Sequence, residues 1–283
     1  MPAATAPIGY RDLLARPRPS GALRISYGDD PQQFGELWLP AGADPHPLVV
    51  MIHGGCWLAD LPGLELVDHA CEDLRDHGIA VWNIEYRRIG HAGGGYPGTF
   101  LDVAAAVDHA RALAGPHHLD LSRVVLSGHS AGGHLAVWAL ARHRLPTNSP
   151  LHAPDPLTAR GAVPLAGIID LAAYHAEGPD ECGGPGTIDA LVDAAGRPGD
   201  AYSDTSPPRL LPLGAPQVVI SGDLDHIVPS AFGAAYGAQA LAAGDRVEVI
   251  EFTGAGHYEL IDPTSAAWPQ IRASIAALLD EPR

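Results

Sequence analysis

The sequence predicts an α/β architecture: a mostly parallel sheet of eight strands with helices on both faces and a small cap insertion, all in one domain over residues 1–283. Three observations predict it. Short apolar runs alternate with longer helix-like stretches at a spacing that suits strand–helix–strand units. The central runs are continuously apolar, as parallel strands covered on both faces must be. Hydrophobic residues make up 46% of the 283 and charged residues 18%, enough apolar side chain to fill one large interior.

The elements follow in order. Residues 21–28 and 33–39 alternate apolar and polar around Gly28-Asp29-Asp30-Pro31, which reads as an opening antiparallel hairpin. Pro47 to Ile52 is apolar without a break and stops at Gly54-Gly55, so it is the first buried parallel strand. A helix-like stretch from about residue 63 to 77 ends at Gly78, a natural C-cap, and a strand over 79–86 comes next. The cycle repeats as helix 99–114, strand 123–127, helix 131–143 and strand 162–169, then strand 217–221, helix 230–243, strand 246–252 and helix 265–279. Two stretches break this rhythm. Residues 145–160, and above all 171–213, are rich in Pro, Gly and polar residues, with one helix-like piece near Ile188–Ala195. Irregular insertions of that length in a compact domain usually serve a site, and both flank strand 162–169, so they are expected jointly to cap it, with 171–213 adding little to the core.

Composition excludes several function classes. A net charge of −16 opposes nucleic acid and anionic membranes, since both demand a dense basic patch, and the sequence has none. No apolar run is long enough to span a bilayer, and Met1 to Pro7 lacks a basic region followed by an apolar one, which predicts a cytoplasmic protein. Three cysteines, Cys56, Cys71 and Cys182, without C-x-x-C spacing are expected to be reduced thiols. Neither H-E-x-x-H nor a comparable spacing occurs, so no metal or other cofactor is expected. Gly93 to Gly98 satisfies G-x-G-x-x-G, but six residues part Gly93 from Arg87 at the end of its strand, and a dinucleotide site needs that glycine at the strand end.

The chemistry concentrates in four loops. Gly128-His129-Ser130-Ala131-Gly132 joins a strand to a helix. A serine hydroxyl becomes a nucleophile when a sharp turn presents it to a base, and small neighbours let strand and helix meet there. The bare pentapeptide also arises as an ordinary glycine-rich turn; its place between a strand and a helix favours Ser130 as nucleophile. His53-Gly54-Gly55-Cys56-Trp57 ends the first buried strand and can aim backbone N–H groups at a developing oxyanion. The amides of Gly55, Cys56 and Ala131 are the expected donors. Trp57 and His129 are candidate substrate contacts, although packing of the loop is the favoured reading for the side chains of Trp57 and His53, and a structural role near the elbow is favoured over catalysis for His129. Ser221 to Pro229 offers two carboxylates, Asp223 and Asp225, after a buried strand, and Asp225 is preferred as the acid with Asp223 forming the turn. Of 15 histidines, only His257 follows the last strand in a glycine-rich loop, where the base of a Ser, Asp, His order belongs.

Together these motifs resemble the α/β-hydrolase superfamily over residues 46–280, and within it the branch carrying His-Gly-Gly-x-Trp. That branch includes kynurenine formamidases, related carboxylesterases and prolyl-oligopeptidase-like proteins, and the formamidases often place an aromatic residue where this chain has Cys56. The resemblance implies serine catalysis on a small-molecule ester or activated amide. It also implies an ion pair of Glu85 with Arg87 behind the oxyanion loop. Asp102, near a helix start, is read as helix-terminus electrostatics. Two other readings stand beside hydrolysis: acyl transfer or cyclisation by the same triad, and ligand binding on a hydrolase scaffold. A retained triad speaks against the second.

Overall fold

The computed structural model describes residues 6–42 and 45–281. Residues 1–5, which entered the reading of the amino terminus, lie outside it. A five-residue helix, α1 (Tyr10–Leu14), precedes the hairpin of β1 (Leu23–Ser26) and β2 (Phe34–Trp38), in which Leu23 faces Leu37 across an antiparallel pair. Then come β3 (His46–Ile52), a 3₁₀ turn with α2 (Asp68–Asp76), β4 (Ala80–Ile84), α3 (Gly98–Ala114), β5 (Leu119–His129) and α4 (Ala131–Leu140). After β6 (Gly161–Leu165) the chain forms α5 (Leu171–Glu177) and α6 (Pro185–Val192), then β7 (Gln217–Gly222), α7 (Ser230–Ala242), β8 (Val247–Phe252) and α8 (Trp268–Asp280). The eight strands make one sheet in the order β1-β2-β4-β3-β5-β6-β7-β8. Among the described residues, only the pairings of β2 are antiparallel.

Alternation along the central strand divides the core into two layers. Leu48, Val50 and Ile52 of β3 face the side covered by α3 and α4, whose Phe100, Val103, Leu135 and Trp138 are all fully buried. Val49 and Met51 face α2 and α8, against Leu74, Ile271 and Ile275. Every residue of α4 is buried, so this helix is apolar all round and lies inside the protein.

The segment 171–213 is more ordered and more central than its composition predicts. Leu171, Tyr174, Ile188, Leu191 and Leu210 join the core layer of α3 and α4. His134 Nε2 and Trp138 Nε1 of α4 donate to the carbonyls of Thr205 and Asp204, both at 2.8 Å. Buried apolar side chains spaced through a glycine-rich stretch carry the packing, and the glycines and prolines only mask them in an average over composition.

The strand order fixes where a site can form. From β3 the chain moves outward to β4, then returns to the other side of β3 for β5. Such a reversal leaves a crevice beyond the carboxyl ends of the two strands. Because β3, β5, β7 and β8 are mutually aligned, the four loops singled out in the sequence emerge at that same edge.

Candidate active site

The turn after β5 carries Ser130 at φ 55°, ψ −119°, a backbone region that non-glycine residues avoid. The surroundings impose it: a Cβ at Gly132 would lie 2.0 Å from the Ile52 carbonyl oxygen, so α4 starts in contact with β3 only because that position has no side chain. The Ser130 carbonyl accepts from the Gly133 and His134 amides, which starts the helix directly at the nucleophile candidate.

Of the two carboxylates after β7, the fold brings Asp225 to the histidine. His257 Nδ1 lies 2.6 Å from Asp225 Oδ2, and both side chains are buried. The other oxygen of Asp225 accepts from the amides of Ile227 and Val228, each at 2.8 Å, so the carboxylate is locked by its own loop. Asp223 instead accepts from the Gly254 amide at 2.7 Å and ties the two loops together. Ser130, His257, Gly55 and Cys56 line a single cavity of about 600 Å³, a size suited to a small organic ligand.

After β3 the backbone turns through three consecutive left-handed residues, Gly55 (φ 98°), Cys56 (φ 49°) and Trp57 (φ 57°). Two of these are not glycine, so the loop is held from outside. Arg88 donates to the carbonyls of Leu58, Leu61 and Pro62, and is itself paired with Glu85 at 3.5 Å. Glu85 Oε1 also receives His53 Nε2 at 2.9 Å and the Tyr86 amide at 2.8 Å. Burial pushes the Glu85 carboxyl up, but His53, Arg88 and the Tyr86 amide outweigh it and hold it at about 2. This corrects the expected pairing of Glu85 with Arg87. Arg87 points the other way, onto both oxygens of Asp102 at 2.7 Å, and Asp102 is therefore half of an ion pair rather than a helix-end charge. In sequence the adjacent arginines look equivalent, and only the geometry after β4 separates them.

Two further expectations change. Cys56 and Cys182 are joined in a disulfide, with Cα atoms 5.2 Å apart, while Cys71 is free and buried. The partners are 126 residues apart in sequence, so spacing gave no sign of the bond. The bond ties the loop after β3 to a 3₁₀ turn at Asp180–Cys182 and corrects the expectation that these two cysteines are reduced thiols. Trp57, expected as a substrate contact, is fully buried with its ring edge-on to His134 at 5.5 Å, and does not line the cavity. Its left-handed backbone turns the indole into the core.

His129 does line the cavity, beside Ser130. Its Nε2 donates to the His257 carbonyl at 3.0 Å, and the two rings lie 4.4 Å apart. Burial, together with the nearby His257, lowers its pKa well below the usual value, so the ring is neutral. His129 thus holds the loop of His257 while adding no positive charge to the cavity. Ala131 is buried at the first position of α4. Among the described residues no cluster of three or more His, Cys, Asp or Glu side chains could hold a metal, and no helix is long and apolar enough to cross a membrane.

A reversed strand order, a serine on a strained strand-to-helix turn and a buried Asp–His pair at one sheet edge define the α/β-hydrolase class. Within it, residues 36–236 match the BD-FAE family, and the chain belongs to that family. It is 27% identical over 256 residues to Esterase LipC of Mycobacterium tuberculosis (strain ATCC 25618 / H37Rv), covering 84% of this chain and 60% of that protein. A shorter match, 27% over 117 residues, covers 41% of this chain and 27% of the probable isoprenylcysteine alpha-carbonyl methylesterase ICME of Oryza sativa subsp. japonica. The chain therefore spans less than two thirds of either relative. Among solved structures, an inhibited Esterase B from Lactobacillus rhamnosis superposes with a TM-score of 0.80 at 19% identity, over 96% of this chain and 91% of that one. Esterase 2 of Thermogutta terrifontis, phosphorylated by paraoxon, gives 0.69 at 21% identity, over 90% and 91%. At these identities the likeness is one of fold.

Proposed function

We propose that the protein hydrolyses carboxylic esters of small molecules through an acyl-enzyme on Ser130. The observation that carries this is the Asp225–His257 pair at 2.6 Å, set in the same cavity as a serine held at positive φ. His257 takes the Ser130 proton as the hydroxyl oxygen attacks the ester carbonyl, and returns it to the departing alcohol. Water then attacks the acyl-enzyme with His257 again as base, releasing a carboxylic acid and restoring Ser130. Asp225 keeps the imidazole in the tautomer that leaves Nε2 free to accept. The amides of Gly55, Cys56 and Ala131 stabilise the oxyanion.

Esters are favoured over aryl formamides because the named relatives are esterases and Cys56 replaces the aromatic residue of the formamidase-like branch. The turn at Asp180–Cys182, drawn to the oxyanion loop by the disulfide, supplies the cap through Glu181, which lines the cavity. The test is fluorophosphonate labelling with peptide mapping, alongside turnover of p-nitrophenyl esters. The label should fall on Ser130, and Ser130→Ala should lower kcat by on the order of a millionfold. A label on any other residue, or unchanged turnover in the variant, rejects the assignment.

A further inference from the structure

The cavity has a wall that no motif announces. Pro7, Ile8, Gly9 and Tyr10 line it together with Ser130 and His257, although they lie far upstream of every catalytic loop. The loop of His257 holds this segment in place. The Ile8 amide donates to Glu259 Oε1 at 2.7 Å, and the other oxygen of the same carboxylate accepts from the Gly256 amide at 3.0 Å. One side chain therefore bridges the amino-terminal segment and the residue next to His257. Gly256 is required for this approach, because a Cβ there would lie 2.5 Å from Pro7 Cβ. Tyr10 packs on Tyr258 with ring centroids 6.1 Å apart, and two residues beyond α1 Arg16 grips both oxygens of Asp262 at 2.6 and 2.7 Å.

We infer that the segment Pro7–Tyr10 is a specificity-determining wall of the active-site cavity, and that the cavity it completes takes esters with uncharged, apolar acyl groups. The inference rests on the ester-hydrolase reading of Ser130 and deepens it. Ile8 and Pro7 complete an apolar lining that includes Leu66 and Leu224. Among the described residues neither arginine nor lysine lines the cavity, Glu181 is its one carboxylate, and His226 stands beside Leu224 in the same lining. A carboxylate on the acyl chain would leave water for a largely apolar space with no guanidinium or ammonium to pair with, facing the negative Glu181. That transfer costs enough to exclude it.

The experiment compares p-nitrophenyl acetate, butyrate and octanoate, and a matched pair of glutarate esters, one with a free and one with a methylated distal carboxylate. Each substrate ratio is taken on one preparation, so partial loss of folded protein cancels. The wild type should prefer the methylated glutarate ester by about a hundredfold or more in kcat/KM. Ile8→Trp, which fills the cavity, should lower the octanoate-to-acetate ratio by about tenfold, and Ile8→Gly, which enlarges it, should raise the ratio. Unmoved ratios in both variants overturn the wall, and equal turnover of the two glutarate esters overturns the substrate class. Fluorophosphonate labelling of the wild type separates these failures from that of the underlying reading: a protein neither labelled on Ser130 nor active on any ester is no hydrolase, and the inference falls with it.

Discussion

Asp223 and Asp225 lie two residues apart after the same strand, and their surroundings divide their work. Asp225 is buried at the imidazole with its second oxygen held by two amides, whereas Asp223 ties down the Gly254 amide at the surface. Asp225→Asn should therefore cut kcat by about ten thousandfold, since an amide can stabilise the wrong imidazole tautomer, and Asp223→Asn should cost far less. Steady-state kinetics of the two variants with one ester gives the ranking, and the opposite order would show that Asp223 orients the base. At this scale the meeting of the candidate residues was legible. Ser130, Asp225 and His257 each belong to a short turn whose glycines and neighbours declare its shape locally. Arg88 was not legible, because its partners are backbone carbonyls more than 25 residues away and its neighbour Arg87 is chemically identical to it.

Among elements, the strands and helices could be read from runs of apolar residues, and their ends moved by only a few residues. The amino-terminal helix α1 and the two helices α5 and α6 were harder. A five-residue helix has too few turns to display a period, and α5 and α6 sit among glycines and prolines that hide their buried faces. The disulfide between Cys56 and Cys182 is the clearest long-range case. It fastens the segment 171–213 to the loop whose amides are assigned to the oxyanion. Cys182→Ser should cost about 2–4 kcal/mol of stability, the usual range for a cross-link over a long loop. It should also lower kcat by up to about a hundredfold, as an oxyanion donor held in a left-handed conformation relaxes away. Urea unfolding and ester turnover, each with and without reductant, provide the check. Reductant should reproduce both losses in the wild type and leave the variant unchanged; a wild type whose kcat ignores reductant would mean that the loop holds its shape without the bond.

For the molecule as a whole, two buried imidazoles shape the response to acid. Burial holds His134 at about 4, opposed by its bond to the Thr205 carbonyl, and holds His129 well down too. A histidine depressed in the folded state binds fewer protons than the unfolded chain below about pH 6.5, so its contribution is complete above that pH and is lost as pH falls toward 4. Glu85 has the same sign at lower pH, through about 2, while burial raises Asp68 to about 6 against the pull of Arg18 and opposes the trend. His134→Gln removes one titrating ring. Its stability deficit relative to wild type should shrink by about 3 kcal/mol between pH 7 and pH 4, measured by urea unfolding. A deficit that stays constant with pH would mean that His134 does not titrate as assigned. The two extremities of the described fold also differ in what they face. Glu281 meets Arg160 and Arg246, which precede β6 and β8, at the edge of the sheet opposite the loops of Ser130 and His257. Pro7, by contrast, lines the cavity itself. A dye or surface linker attached at Glu281 would therefore stand clear of the cavity, whereas the same attachment at Pro7 would obstruct it.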